Sequence, residues 1–261
     1  MRASLLVAFL LSATPLAAQR KVAVSEDATQ AWRNAKEIFS SPFRYQKSQW
    51  LVVAGILSLG VSAHVLDEPL REFARERRSR VASFVFSVGE FYGSPLGAGL
   101  IGGGLYASGL ASGDASTRLS GRAVLESVLY AALLTQILKI TIGRSRPYAR
   151  KGARDFNGLS WTNERWSLPS GHATMAFATS SALATRVRKP LASVGFFALA
   201  TLTAAQRVYD DQHWLSDVVF GAAIGTSVGL AIGKLVNDEA AKSNAPASIE
   251  PQPIFAVQLP L

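Results

Sequence analysis

Six long apolar segments follow one another through most of this 261-residue chain. They occupy residues 51–66, 81–112, 124–142, 173–187, 191–205 and 214–236. None of them alternates apolar and polar residues with hairpin turns between, as the strands of a half-exposed sheet do. The pattern therefore predicts an all-α fold, a bundle of about six core helices.

Small residues in these segments indicate close helix packing. Gly221, Gly225, Gly229 and Gly233 recur every fourth residue, so they lie on one face of the last predicted helix. Small residues at this spacing let helices approach closely inside a bilayer. A tightly packed soluble bundle would also use them, because an exposed glycine costs a helix about 1 kcal/mol relative to alanine. We favour the membrane-embedded bundle.

The chain divides into four parts. Residues 1–18 join a positive start to a short apolar run and small residues, which is typical of a signal peptide, with an uncleaved N-terminal anchor as the alternative. Residues 19–48 form a polar lead-in with an amphipathic helix near 31–39, and residues 49–236 form the helical domain. Residues 237–261 form a tail rich in Ala, Pro, Ser and Asn.

Charge and cysteine content narrow the function classes. The formal net charge of +9 favours an anionic partner. No motif that reads DNA or RNA is present, so we expect no nucleic-acid partner and favour anionic lipids. The chain has no cysteine, which excludes disulfide bonds and thiolate metal sites.

Three short polar motifs fall at ends of predicted helices. They are Lys139 with Arg146-Pro147, then Pro169-Ser170-Gly171-His172, and then Arg207 with His213 and Asp217. In an up-and-down bundle these three junctions lie at the same end. Residues far apart in the sequence are therefore predicted to converge on one pocket.

The residue types in this pocket suit a phosphoryl group. Lys139, Arg146 and Arg207 supply three cations, and an arginine can hold two phosphate oxygens at once. Ser170 and Gly171 stand at a helix start, where free backbone N–H groups favour an anion. Catalysis of phosphoryl transfer consists mostly of such positioning and charge stabilisation.

Two histidines complete the candidate site. His213 and Asp217 are four residues apart and share one helix face. A carboxylate can hold an imidazole in one tautomer and stabilise its cationic form, which suits a nucleophile. His172 is then left to protonate the leaving oxygen.

The three motifs together resemble the signature of the type 2 phosphatidic acid phosphatase superfamily, over residues 51–236. That superfamily includes lipid phosphatases, soluble bacterial acid phosphatases and vanadium-dependent haloperoxidases. The resemblance implies that His213 forms a phosphohistidine, that Asp217 orients it and that His172 is the general acid. The resemblance also assigns phosphate binding to five further residues: Lys139, Arg146, Ser170, Gly171 and Arg207. It implies that phosphatase activity needs no metal and no cofactor. One position departs from the pattern, since Gln206 stands where the family usually has serine.

The leading hypothesis is a membrane phosphatase acting on phosphatidate, phosphatidylglycerol phosphate, a polyprenyl diphosphate or a lipid A phosphate. The alternatives are a soluble periplasmic acid phosphatase, a vanadium haloperoxidase, and a non-catalytic protein that binds anionic lipids. We expect a multi-pass protein of the bacterial inner membrane with its pocket facing the periplasm. A cleaved signal peptide followed by six membrane crossings would instead place the pocket on the cytoplasmic side. Three arrangements would avoid this conflict: residues 81–112 cross the membrane twice, the first apolar helix lies on the membrane surface, or the bundle is soluble.

Several residues outside the motifs remain open. His64, three residues before Asp67, belongs to no motif. The loop before Pro169 contains basic residues that either attract anionic headgroups or are simply solvated: Arg144, Arg150, Lys151, Arg154 and Arg165. The same loop contains three aromatic residues: Phe156, Trp161 and Trp166. They either anchor the loop at the membrane interface, form a lid near the substrate, or simply pack within the loop. Asp210 and Asp211 either repel an anion or point to solvent.

Overall fold

The computed structural model describes the backbone of residues 2–243 and the side chains of residues 20–242. Nine α-helices occupy most of this part, which contains no β-strand, only an isolated bridge between Arg144 and Phe156. The helices are α1 (Arg2–Ser40), α2 (Lys47–His64), α3 (Asp67–Glu76), α4 (Arg80–Gly93), α5 (Pro95–Ser112), α6 (Ala115–Ile142), α7 (Gly171–Val187), α8 (Pro190–Tyr209) and α9 (Leu215–Ser243). The all-α prediction is confirmed.

The helix bounds differ from the sequence expectation in three places. Residues 81–112 form two helices, because Ser94 ends α4 and its side chain caps α5 by accepting from Gly97 N at 2.9 Å. The charged stretch after residue 66 forms helix α3, which the sequence analysis did not predict because its sequence is polar. Helix α9 continues through residues 237–243 of the predicted tail, and residues 244–261 lie outside the described part.

The centre of the bundle is formed by α6, α7 and α9. Its buried side chains are small, such as Ala123 and Ala131 of α6 and Ala178 and Ala182 of α7. The predicted glycine face of α9 lies directly on α7: a Cβ added at Gly229 would stand 2.6 Å from the carbonyl oxygen of Ala178. Small side chains thus set the close spacing of the central helices.

Helices α4 and α5 together cross the bundle once. The start of α4 lies beside the end of α8, where the Tyr209 hydroxyl accepts from Ser79 N at 2.8 Å. The end of α5 lies beside the start of α6, where Gly109 abuts the backbone of Arg118. The described contacts therefore give one kinked crossing for residues 81–112, and the suggested double crossing is wrong.

The two ends of the bundle differ in what they carry. We call the end that holds Lys139, His172 and His213 the motif end, and the opposite one the far end. Residues 20–40 of α1 lie along α6 from the far end, where Asp27 accepts from Arg122 at 2.8 Å and Asn34 donates to Glu126 at 2.9 Å. Arg122 also pairs with Glu239 of α9.

Three helices of the described chain are long and apolar enough to cross a membrane. They are α6, α8 and residues 215–242 of α9, and the bent pair α2–α3 would make a fourth span. The pair bends by 54° between its two helices. The backbone of residues 2–19 is the first part of α1 and continues into residues 20–40 without a break. The interpretation of residues 1–18 as a signal peptide stays a prediction.

Candidate active site

The three motifs meet at the motif end. Lys139 stands in the last turn of α6, Gly171 begins α7 and Arg207 stands in the last turn of α8. Backbone hydrogen bonds join the segments, because Ser170 N donates to Asp217 O at 2.9 Å and His213 N donates to Arg207 O at 3.1 Å. The structure therefore brings together the residues that the sequence analysis singled out.

The three cations surround one small volume. Lys139 is buried and donates to the carbonyl oxygen of Trp166. Arg146 donates from Nε to the carbonyl oxygen of Asn163 at 3.0 Å and from a terminal nitrogen to Gln212 Oε1 at 3.1 Å. The charges of Lys139, Arg146 and Arg207 all act on His172. These side chains thus form a concentrated positive field around that imidazole.

The turn between the long loop and α7 leaves polar groups ready for a ligand. Ser170 is fully buried, yet its Oγ has no hydrogen-bond partner among residues 20–242. A buried hydroxyl without a partner costs free energy unless a ligand or water bonds to it. A Cβ added at Gly171 would have Cε of Lys139 as its nearest neighbour, at 3.7 Å. This part of the chain therefore faces the lysine directly.

His213 lies beside Asp217, as the four-residue spacing predicts. The distance from His213 Nδ1 to Asp217 Oδ2 is 3.6 Å, and both side chains are buried. This separation is an ion-pair distance, longer than a hydrogen bond, and Nδ1 has no hydrogen-bond partner. The carboxylate thus acts on the imidazole through its charge in this state.

Asp217 is fixed by donors from three directions. Arg144 donates to its Oδ1 at 2.5 Å, the backbone N of Trp214 donates to its Oδ2 at 2.9 Å, and the Ser167 hydroxyl also bonds to Oδ2. A buried carboxylate needs such partners to remain ionised. Its orientation toward His213 is therefore set by the surrounding protein.

Burial and nearby charge hold both histidines neutral. Burial is the main cause that lowers the pKa of His172 to about 4, and the charges of Arg207, Arg146 and Lys139 contribute in the same direction. Burial also lowers the pKa of His213 to about 3, assisted by Lys139 and Arg146 and opposed by Asp217. A neutral imidazole at His213 carries a free electron pair, as a nucleophile must.

Arg207 already has anionic neighbours. Glu90 of α4 accepts from its NH2 at 3.2 Å, and Asp210 Oδ2 lies 4.0 Å away. Gln206 accepts from Arg207 Nε at 2.6 Å while its own amide donates to Asp210. At the position where the family usually has serine, the Gln206 amide is therefore used to hold Asp210.

Two further interpretations need correction. Arg144 is neither solvated nor free to attract headgroups: it is 1% exposed and surrounded by carboxylates. Asp211 does not point freely to solvent, since it pairs with Arg71 at 2.6 Å. Spacing alone gave no sign of these contacts, because Asp67 and Arg71 lie on α3, whose approach depends on the tertiary fold.

The long loop divides its remaining side chains between solvent and packing. Trp161 is 76% exposed, whereas Trp166 is partly buried and donates from Nε1 to Ser160 O at 2.8 Å. Lys151 pairs with Glu164 at 2.8 Å on the surface. Trp166 therefore packs within the loop, and Trp161 remains a candidate anchor.

Comparison with known proteins agrees with this geometry. Residues 121–240 match the model of the PAP2 superfamily, the family that the three motifs resemble. This part of the chain is therefore similar to the PAP2 superfamily. The match contains every candidate site residue named from the sequence, from Lys139 to Asp217.

Two curated relatives are lipid A 1-phosphatases. A lipid A 1-phosphatase of Porphyromonas gingivalis is 39% identical over 74 residues, which cover 28% of this chain and 16% of the relative. A lipid A 1-phosphatase of Rhizobium etli is 35% identical over 107 residues, which cover 40% and 45%. The chain thus spans less than half of the length of these relatives.

A solved structure supports the fold. The first transmembrane PAP2 type phosphatidylglycerolphosphate phosphatase from Bacillus subtilis superposes with a TM-score of 0.51 at 23% identity. The superposition covers 73% of this chain and 94% of that one. At this identity the likeness concerns the arrangement of the helices.

Proposed function

We propose that this protein is a membrane-bound phosphatase that removes phosphate from a lipid phosphate ester by way of a phosphohistidine. The observation that supports this most strongly is the meeting of three cations, the unpartnered Ser170 hydroxyl and the His213–Asp217 pair at one bundle end. The family match and the lipid A 1-phosphatase relatives agree with it.

The first proposed step is attack by His213 on phosphorus. Because Nδ1 faces Asp217, the free nitrogen is Nε2, which forms the P–N bond while the P–O bond to the lipid breaks. Lys139, Arg146 and Arg207 balance the charge on the phosphoryl oxygens, and Ser170 and Gly171 donate hydrogen bonds to them. Asp217 stabilises the cationic imidazole that results.

His172 is proposed to handle the proton. Burial and the charges of the three cations lower its pKa to about 4. A phosphate dianion among those cations offsets their field, so the pKa of His172 rises on binding. The protonated ring then gives its proton to the leaving oxygen, and the neutral ring takes a proton from the water that hydrolyses the phosphohistidine.

The decisive experiment is phosphate release from purified protein in detergent with EDTA present. Lipid A, phosphatidate, a polyprenyl diphosphate and a small aryl phosphate are each offered to wild type and to His213→Ala. We expect release from at least one lipid, lost in the variant. Preference for the aryl phosphate with no detergent requirement would favour a soluble acid phosphatase instead, and no release from any substrate by folded protein would refute the phosphatase.

We further propose that the motif end faces the periplasm. Asp27 of α1 and Glu239 of α9 both pair with Arg122, which places this part of α1 and the end of α9 together at the far end. An outward pocket therefore requires residues 20–27 to stay on the cytoplasmic side. The lack of cysteine permits a clean test with single cysteines at Asn157, in the motif-end loop, and Lys36, in α1.

An impermeant maleimide should label Asn157→Cys in intact cells and Lys36→Cys only after lysis. Both side chains are exposed, so unequal labelling reports sidedness. The reverse pattern would place the pocket in the cytoplasm. Labelling of neither variant in membranes, with both labelled in soluble extract, would favour the soluble bundle.

A further inference from the structure

A carboxylate from an early helix reaches the centre of the candidate site. Asp67 stands in the first turn of α3, outside the residues that match the family model, and is 1% exposed. It accepts from the backbone N and from the hydroxyl of Ser216, both at 2.8 Å, across 149 residues of sequence. The beginning of α3 is thereby fastened to the beginning of α9.

Arg144 joins this carboxylate to Asp217. One terminal nitrogen of its guanidinium donates to Asp67 Oδ2 at 2.7 Å, and the other donates to Asp217 Oδ1 at 2.5 Å. The carbonyl oxygen of Ala153 accepts from Nε and NH2 at 3.1 and 2.7 Å. The guanidinium is therefore held in one plane between two buried carboxylates.

The arrangement leaves Asp217 little freedom. Arg144 carries one positive charge between two carboxylates, and Asp67 is also held by the Ser216 donors and by His64, whose Nδ1 lies 2.7 Å from Asp67 Oδ2. The two terminal nitrogens of Arg144 each reach one oxygen of a different carboxylate, a bridge that the point charge of a lysine would not reproduce. A shift of Asp217 would therefore require Arg144 and Asp67 to shift as well.

We propose that Asp67 and Arg144 are positioning residues that hold Asp217 at the distance and angle at which it supports the His213 imidazole. This inference rests on the proposed phosphohistidine mechanism. Neither residue touches the phosphoryl group, so both act through Asp217. The competing explanation is that the network only fastens α3 and the loop to α9.

Kinetics separate the two explanations. Asp67→Asn removes the carboxylate that holds one side of the Arg144 guanidinium and keeps the shape, and we expect kcat to fall about 10- to 100-fold, as when a partner that orients a metal ligand is lost. KM should change less than about threefold, because the phosphate-binding side chains are untouched. Arg144→Lys should act in the same way, since it cannot bridge two carboxylates.

Asp27→Asn is the matched control. Asp27 is also a buried carboxylate paired with two arginines, Arg118 and Arg122, but it lies at the far end. It should lower the thermal unfolding midpoint and leave kcat unchanged. If kcat is the same in all three variants as in the wild type, Asp67 and Arg144 do not position Asp217 for catalysis. They would then only hold α3 and the loop against α9.

A second readout does not depend on turnover. The chain has three histidines, so ¹⁵N-histidine ring signals can be assigned with His64→Gln, His172→Gln and His213→Gln. We expect Asp67→Asn and Arg144→Lys to move the His213 signal, and Asp27→Asn to leave it in place. If no substrate is turned over but these signals move as expected, the phosphatase proposal fails and the positioning inference stands. An unmoved His213 signal in both folded variants would overturn it.

Discussion

The Nδ1 atom of His213 lies 3.6 Å from Oδ2 of Asp217, and the same carboxylate accepts from Arg144 at 2.5 Å. The shorter contact is with Arg144, which holds Asp217 in place. The longer contact is with His213, the residue that we propose reacts with phosphorus. The carboxylate is thus anchored first and is placed to tighten its contact when the imidazole becomes cationic. In the proposed mechanism that charge appears only after His213 attacks phosphorus.

Removing the negative charge of Asp217 should therefore greatly reduce kcat. We expect Asp217→Asn to reduce kcat by about 10²- to 10⁴-fold, by analogy with the loss of the acidic member of a catalytic triad. The reason is that an amide stabilises a cationic imidazole far less than a carboxylate does. Initial-rate measurements of phosphate release check this.

Asp114→Asn is the control for this change. Asp114 caps the start of α6 at the far end, where its carboxylate accepts from Ser116 N at 3.0 Å. It should affect helix stability alone, with kcat close to the wild-type value. A wild-type kcat in Asp217→Asn would mean that His213 does not rely on the carboxylate, against the proposed mechanism.

Anion binding should take up a proton at His172. Its pKa of about 4 in the empty site leaves it neutral near pH 7, and a dianion among Lys139, Arg146 and Arg207 raises that pKa. Binding must then strengthen as pH falls, by up to about tenfold per unit between the two pKa values. Sulfate is the suitable probe, because it keeps its double charge throughout this range.

The measurement is the sulfate concentration that half-saturates a thermal shift, from pH 8 to pH 5. Wild type should need progressively less sulfate at lower pH, and His172→Gln should show a nearly flat dependence. If the slope persists in His172→Gln, another group takes up the proton and the assignment of His172 as the acid fails.

The same depressed pKa values predict how the empty protein responds to acid. His172 and His213 have folded pKa values of about 4 and about 3, below the ordinary value of 6.5. Between pH 6.5 and 4 the unfolded chain therefore binds protons that the folded chain does not, so folded stability falls as pH falls. Above pH 6.5 these two groups contribute no pH dependence.

The unfolding midpoint without sulfate should thus decline from pH 7 to pH 4.5. His172→Gln should decline less steeply than wild type, because one of the two titrating groups is gone. Identical slopes for both proteins would show that other groups determine the acid response.

Sequence reasoning reached the motif residues because chemistry and spacing are local. Asp217 follows His213 by one helical turn, and Lys139, Gly171 and Arg207 stand at helix ends that an up-and-down bundle brings to one side. The same reasoning missed Asp67, whose partner Ser216 is 149 residues away. Nothing in the polar sequence of α3 indicates which later helix it meets.

The interpretation of Arg144 as a loop cation was wrong for a physical cause of the same kind. Arg144 resembled its loop neighbours in charge and spacing, and only the approach of α3 and α9 separates it from them. The break between α4 and α5 is different, because Gly93-Ser94-Pro95 interrupts the apolar segment in the sequence itself.

Glu90 should weaken substrate binding by competing for Arg207. Its carboxylate is half-exposed and accepts from Arg207 at 3.2 Å, so a phosphoryl group must share or replace it. We expect Glu90→Gln to lower KM about 1.5- to 5-fold, which corresponds to the 0.2–1 kcal/mol of an exposed ion pair. The value of kcat should stay close to that of wild type.

Glu37→Gln removes a comparable pair, with Arg44 at 3.0 Å on α1, and should leave KM unchanged. Steady-state kinetics of the two variants on the same lipid decide the matter. A raised KM in Glu90→Gln would mean that Glu90 helps to orient Arg207 for the phosphate and does not compete with it.

Close packing of α9 on α7 should make its glycine face intolerant of even one methyl group. A Cβ at Gly221 would stand 2.5 Å from the carbonyl oxygen of Ser170, and one at Gly229 would stand 2.6 Å from that of Ala178. Backbone oxygen atoms cannot swing aside as side chains do, so Gly229→Ala should cost about 1–3 kcal/mol. Gly221→Ala should cost as much and also lower kcat, because it displaces the residue beside Gly171.

Gly103 of α5 is the matched position, since an added Cβ there meets nothing within 4 Å. Gly103→Ala should be neutral or stabilising by up to about 1 kcal/mol, as expected from helix propensity. Unfolding in detergent measures all three variants. If Gly229→Ala is as stable as Gly103→Ala, α7 and α9 are farther apart than described, and the small-residue face is not what sets the geometry of the motif end.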